Sequence, residues 1–206
     1  MDTTSRRTPP AAAPTGPVPA LPAVAGTATI PAVGSKAFRY VAAALRIGLG
    51  WIFLWAFLDK LLALGFSTGK DAKTGVVDAF GPAAWVNGGS PTKGFLAFAT
   101  TGPLAGFYRS FAGAGWADWL FMLGLLGIGL ALMLGVAPRI ATVSGVAMLV
   151  MMWSAALLPQ NNPVLDDHLI YALTLVALLL CGSDKTLGLG QRWARLPLVS
   201  RHAALQ

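Results

Sequence analysis

Four stretches of continuous apolar sequence dominate the chain, and polar residues gather in short bursts between them. The runs are long and unbroken rather than alternating, so they predict helices that cross a bilayer, not strands. The first predicted span covers about residues 38–64, where the core GLGWIFLWAFL runs into Asp59 and Lys60. At about 1.5 Å per residue this span is roughly 40 Å long, more than a bilayer core, so it tilts or protrudes. Gly48 and Gly50 leave room for a neighbouring backbone. The second span, about 116–136, carries Gly127, Ala131 and Gly135 at four-residue intervals, a small-residue stripe suited to helix packing. Asp118 near its start suits the positive end of the helix dipole. Pro138 and Arg139 predict a tight turn. A third span follows over about 140–158 and a fourth over about 167–182. The expected fold class is all-α: a four-transmembrane-helix bundle.

The connection between spans one and two, residues 65–115, is the longest. Its first part is turn-rich. Its second part, GFLAFATTGPLAGFYRSFAGAG, is apolar but interrupted at Gly102-Pro103 and Gly106. Leu104, Phe107 and Phe111 fall on one helical face. A short interfacial or re-entrant helix fits this pattern, with an additional full span as the alternative. Residues 1–35 hold seven of the 14 prolines and predict a disordered tail rather than a targeting peptide. The expected domains are this tail, a membrane domain over residues 36–184, and a basic tail over residues 185–206 with Trp193 at the membrane surface.

Composition agrees with the pattern. The chain is 55% hydrophobic and only 11% charged, against about 25% charged residues in soluble domains. The net charge is +7, and all eight acids are Asp. A basic excess this small, spread along a membrane protein, reports topology and attraction to anionic lipid rather than nucleic acid. With four spans, ten of the 15 basic residues fall on the side of the termini and five on the other. Basic residues favour the cytoplasm, so a multi-pass protein of the cell membrane with both termini cytoplasmic is expected. The lone Cys181 allows neither an intramolecular disulfide nor a CxxC pair.

This topology gathers Asp59, Lys60, Arg109, Asp118, Asp166, Asp167 and His168 at one membrane boundary. Within NNPVLDDHLIY, residues 161–171, two readings compete. Asp166 and Asp167 suit the N-terminus of a helix, with Asn161, Asn162 and Pro163 as the preceding turn. Alternatively His168, Tyr171 and Asp167 form an acid–base set that binds or protonates a quinone oxygen. Lys60 and Asp59 are either an interfacial pair or a link to Arg109 and the span-four acids. Arg46, deepest of the basic residues, snorkels to the near headgroups, binds a carbonyl or a carboxylate, or holds a lipid or quinone head. Two histidines, one of them in the tail, give no helical metal set and no pair of haem ligands. No glycine-rich phosphate loop follows a strand.

Arg46, Gly50, Phe53 and Lys60 in the first span, DWLFMLGLLGIGLALMLGVAPRIA over 118–141, and NNPVLDDHLIYAL over 161–173 together resemble the DoxX/DoxD family of small membrane proteins. The segments DKLLALGFSTG and GSPTKGFL are similar to those of actinobacterial members described as the large, quinone-linked subunit of thiosulfate dehydrogenase. The resemblance covers about residues 38–196. It implies a four-helix membrane domain. It also implies a redox subunit that passes electrons from thiosulfate to membrane quinone with a second subunit, or an accessory protein of such a pathway. Arg46, Asp59, Lys60 and Arg109 would then hold substrate or quinone, and His168, Tyr171 and Asp167 would carry the proton chemistry. Lipid, a second redox subunit or further copies of the chain are the expected partners.

Overall fold

The computed structural model describes residues 34–158, 162, 164–202 and 205. The proline-rich stretch up to residue 33, and Asn161 and Pro163 of the polar turn, lie outside the described residues. All regular structure among the described residues is helical, apart from two isolated bridges, Lys70 to Val77 and Thr101 to Ala156. In chain order the helices are α1 (Lys36–Leu62), α2 (Ala105–Arg109), α3 (Gly115–Leu134), α4 (Pro138–Ala155), α5 (Asp167–Leu180), α6 (Gly190–Trp193) and α7 (Pro197–Arg201).

The four longer helices start and stop for local reasons. The Ser35 hydroxyl accepts from the Phe38 amide at 3.1 Å and caps α1. Gly135, at φ 70°, takes the left-handed turn that ends α3. Pro138 is the first residue of α4 rather than part of a separate turn, because its fixed φ suits a helix start. The Asp166 carboxylate accepts from the Leu169 amide at 3.2 Å and caps α5.

Helix α1 packs on α3, α3 on α4, α4 on α5, and α5 closes the ring on α1. Neighbours run antiparallel. Where Gly50 of α1 faces Leu132 and Met133, Gly129 of α3 faces Leu54. A Cβ at either glycine would come 2.9 Å from a backbone nitrogen of the other helix, so only glycine permits this approach. Gly48 and Gly127, also expected to pack against a neighbouring helix, have no neighbouring atom within 4 Å of an added Cβ. Two residues turn a helix by roughly 200°, which puts Gly48 and Gly127 on the faces opposite Gly50 and Gly129. Phe53, Met122, Leu125, Ile128, Leu149 and Leu175 fill the centre.

The outside of the bundle is as apolar as the inside. Trp51, Ile52, Leu123, Val143, Leu173 and Leu180 are all exposed. Exposed apolar side chains this dense suit lipid rather than water. Helices α1, α3 and α4 are long and apolar enough to cross a membrane. Helix α5 is apolar but has 14 residues. Its length is about 21 Å, short of the roughly 30 Å of a bilayer core.

Residues 63–114 form a compact cap at the end of the bundle where α1 finishes and α3 begins. No helix in this segment approaches spanning length: a π-helical turn (Phe95–Ala99) and α2 have five residues each, separated at Gly102. Leu96 and Tyr108 bury themselves against Ala155 at the end of α4. Thr101 donates from its amide to the Ala155 carbonyl and from its hydroxyl to the Leu157 carbonyl, both at 3.0 Å. These carbonyls lie at and just beyond the end of α4, where the helix supplies no partners of its own.

Candidate functional site

The antiparallel bundle puts Asp59, Lys60, Arg109, Asp118, Asp166, Asp167 and His168 at one end. They do not form one cluster. Among the described residues no ion pair or hydrogen bond joins Asp59, Lys60, Arg109 and Asp118 to each other or to the start of α5.

Asp59 lies in the last turn of α1 and is almost fully buried, at 1% exposure. A buried carboxylate needs donors. It takes the amides of Phe66 and Ser67 at 3.0 and 2.9 Å and the Ser67 hydroxyl at 2.6 Å. Lys60 Nζ donates to the same hydroxyl at 2.9 Å and lies 5.9 Å from the centre of the Phe121 ring. Ser67 is thus shared by the cation and the anion. Asp118, in the first turn of α3, accepts from the Ser90 hydroxyl at 2.9 Å, the Thr92 amide at 3.1 Å and the Thr92 hydroxyl at 2.6 Å. The helix dipole favours its charge there as well. Arg109 donates from Nε to the Thr100 hydroxyl at 3.2 Å and from Nη2 to the Thr100 carbonyl at 2.9 Å. All four charged residues hold the cap in shape. Their partners Ser67, Ser90, Thr92 and Thr100 escape a reading that searches for charged and imidazole groups. Their signal was only the density of Ser and Thr between Ser67 and Thr101.

The start of α5 is different. His168 Nδ1 lies 2.7 Å from Asp166 Oδ2, with the two side chains 28% and 18% exposed. A carboxylate only accepts, so Nδ1 carries the proton of this bond and Nε2 is left for another partner. The carboxylate that orients His168 is Asp166, the cap residue, and not Asp167, which is exposed. Tyr171 follows three residues on, half-buried against the central core, with no hydrogen bond of its hydroxyl among the described residues. Asn162 Oδ1 accepts from the Val164 and Leu165 amides at 3.0 and 3.1 Å and shapes the approach to the helix.

Arg46 lies at the opposite end, 2% exposed. Its Nη1 donates to the carbonyls of Leu132 and Met133, in the last turn of α3. Its Nη2 donates to the carbonyls of Thr186 and Leu187, at 3.2 and 2.9 Å. The last carbonyls of a helix lack partners and carry partial negative charge, which a guanidinium satisfies on both counts. Of the readings open to Arg46, the structure shows carbonyl binding. Its Nε has no protein partner and borders a small cavity with Thr142, Ser183 and Asp184. That space is no larger than one water molecule, so the Arg46 surroundings do not fit a quinone ring.

With Nδ1 protonated toward Asp166, Nε2 accepts in the neutral ring and donates only in the charged one. Among the described residues no group of three or more metal-ligating side chains converges. Compared with known proteins, the chain matches no family model, no curated protein and no solved structure.

Proposed function

We propose that the chain is a quinone-linked redox subunit of DoxX type in the cell membrane, with α1, α3, α4 and α5 as its four spans and both termini cytoplasmic. In this reading residues 95–109 lie as a short interfacial hairpin on the outer side. The observation that carries the proposal is the His168–Asp166 bond at one end of an apolar-walled bundle. A membrane quinone accepts two electrons and needs two protons as it does so. Asp166 orients His168, and Nε2 is the atom that hands over or receives the proton. Lys60 and Arg109 bring positive charge to the same end, suited to an anion such as thiosulfate. Two thiosulfates coupled to tetrathionate release the two electrons that one quinone takes up. This chain has no cysteine pair to relay them, so a partner subunit carries the oxidation.

The test uses purified protein together with its candidate partner, thiosulfate and a soluble quinone analogue. Quinone reduction is expected, and His168→Ala lowers it by about 10²-fold or more. Reduction that persists unchanged in His168→Ala defeats the assignment of the proton pair. No reduction with any candidate partner defeats the redox reading.

A second reading is an accessory membrane subunit that recruits a soluble redox enzyme. The rigid cap favours it: Asp59, Asp118 and Arg109 all hold residues 65–114 in a fixed shape. Pull-down from membranes of a stable partner that alone accounts for the activity supports this second reading.

A further inference from the structure

The segment after α5 is clamped to the bundle. Arg46 holds the carbonyls of Thr186 and Leu187, and the Leu189 amide donates to the Leu134 carbonyl at 2.7 Å. Gln191 Nε2 donates to the Lys185 carbonyl at 3.1 Å, and Trp193 Nε1 to the Leu205 carbonyl at 2.7 Å. Val199 of α7 is buried, at 1% exposure. Residues 186–189 are therefore fixed to one end of the bundle, and the rest of the segment folds on itself as a cuff beyond them.

Its depth follows from α5. A helix of 14 residues reaches about 21 Å, so the chain beyond it emerges at or inside the edge of a hydrocarbon layer roughly 30 Å thick. The cuff starts there, at Ser183. Its surface is mixed in the way an interface requires. Leu187, Leu189, Leu196 and Leu198 are exposed, Leu198 to 65%. Between them stand Lys185, Arg192, Arg195 and Arg201, also exposed, against the single acid Asp184. Leucines in open water would cost free energy, and arginines in hydrocarbon would cost more. At the headgroup boundary both are satisfied.

We infer that residues 185–201 form an interfacial cuff that binds anionic phospholipid, the leucines entering the acyl region and the basic side chains meeting headgroup phosphates. The excess of positive charge selects anionic over zwitterionic lipid. This inference does not rest on the redox reading, since it needs only the bundle and a bilayer.

The experiment uses the full-length protein exchanged into micelles holding equal phosphatidylglycerol and phosphatidylcholine, with retained lipids counted by native mass spectrometry. A preference for phosphatidylglycerol of about ten-fold or more is expected. Arg192→Gln/Arg195→Gln/Arg201→Gln brings it close to unity, whereas Lys70→Gln/Lys73→Gln at the other end leaves it unchanged. If the triple variant does not fold, Arg192→Gln and Arg195→Gln are made singly, each lowering the ratio about two-fold. A second arm places an environment-sensitive label at Leu198→Cys in a Cys181→Ala background. In nanodiscs containing phosphatidylglycerol the label becomes shielded from an aqueous quencher. Equal retention of both lipids, an unchanged ratio in the folded variants, or a label open to water overturns the proposal. So does crosslinking of position 198 to a second copy, which would make the cuff a protein interface.

Discussion

The two ends of the bundle solve the same problem with opposite charges. At one end a single buried arginine satisfies carbonyls from two separate parts of the chain, the close of α3 and the turn after α5. At the other end two buried carboxylates, Asp59 and Asp118, satisfy amides and hydroxyls of one long connection. The cation acts on helix C-terminal carbonyls, which the dipole makes negative. Asp118 sits at a helix N-terminus, where the dipole supports it. Asp59 sits at a C-terminus, where the dipole opposes it, and it depends on three donors from Phe66 and Ser67, with Lys60 beside them. One end is joined through a node shared by three elements, while the other is assembled from independent ties. Damage should therefore spread at the first end and stay local at the second.

The largest expected effect comes from Arg46→Ala, which strips hydrogen bonds from Leu132, Met133, Thr186 and Leu187 together. A loss of roughly 3–5 kcal/mol is expected, by analogy with removing one partner of a buried charged contact. Thermal unfolding in detergent should show it as a fall of about 10 °C. Arg46→Lys keeps the charge but not the fork and should fall between. A melting point within 2 °C of the parent's, as a rough threshold on the same scale, would show that the node is not shared.

Asp118→Ala should cost less, on the order of 1–3 kcal/mol, and chiefly in the cap. Hydrogen exchange should rise at Thr92 and its neighbours while α1 and α4 keep their protection. Exchange rising equally throughout the bundle would erase the contrast between the two ends.

The smallest effect concerns pH. In the exposed turn around Asp71, the Thr74 amide, the Thr74 hydroxyl and the Lys73 amide hold the carboxyl below its usual range. The folded value is lower than the unfolded one, so this turn's stabilisation is complete above the unfolded value and is lost as pH falls through the folded value. Amide protection at Thr74 should decline only in acid. Asp71→Asn should make it flat with pH. A decline in that variant matching the parent's would exclude Asp71 as the titrating group.

Much of this fold is legible locally. The four helices begin and end within a few residues of the expected spans, because hydropathy, Pro138, Gly135 and the Asp166 cap all act within a turn of the positions they control. The absence of a span-length helix over residues 95–109 is also legible, since Gly102 and Pro103 interrupt it. The glycine stripe is less legible. Gly48 and Gly50 are equal in sequence, and only the rotation of α1 against α3 selects Gly50. At the start of α5, adjacent carboxylates look interchangeable, yet the extended backbone of the cap residue turns Asp166, rather than Asp167, toward His168.

The sequence by itself determined a helical, lipid-suited chain with most of its charged residues gathered between the apolar runs, because each of those properties depends on neighbours in the chain. The tertiary structure decided what each charge holds. Arg46 and Leu132 stand 86 residues apart, and Arg46 and Thr186 stand 140 apart. No local pattern encodes such a meeting. It exists because an antiparallel bundle brings the end of α3 and the turn after α5 to one level of α1, where buried carbonyls require a donor.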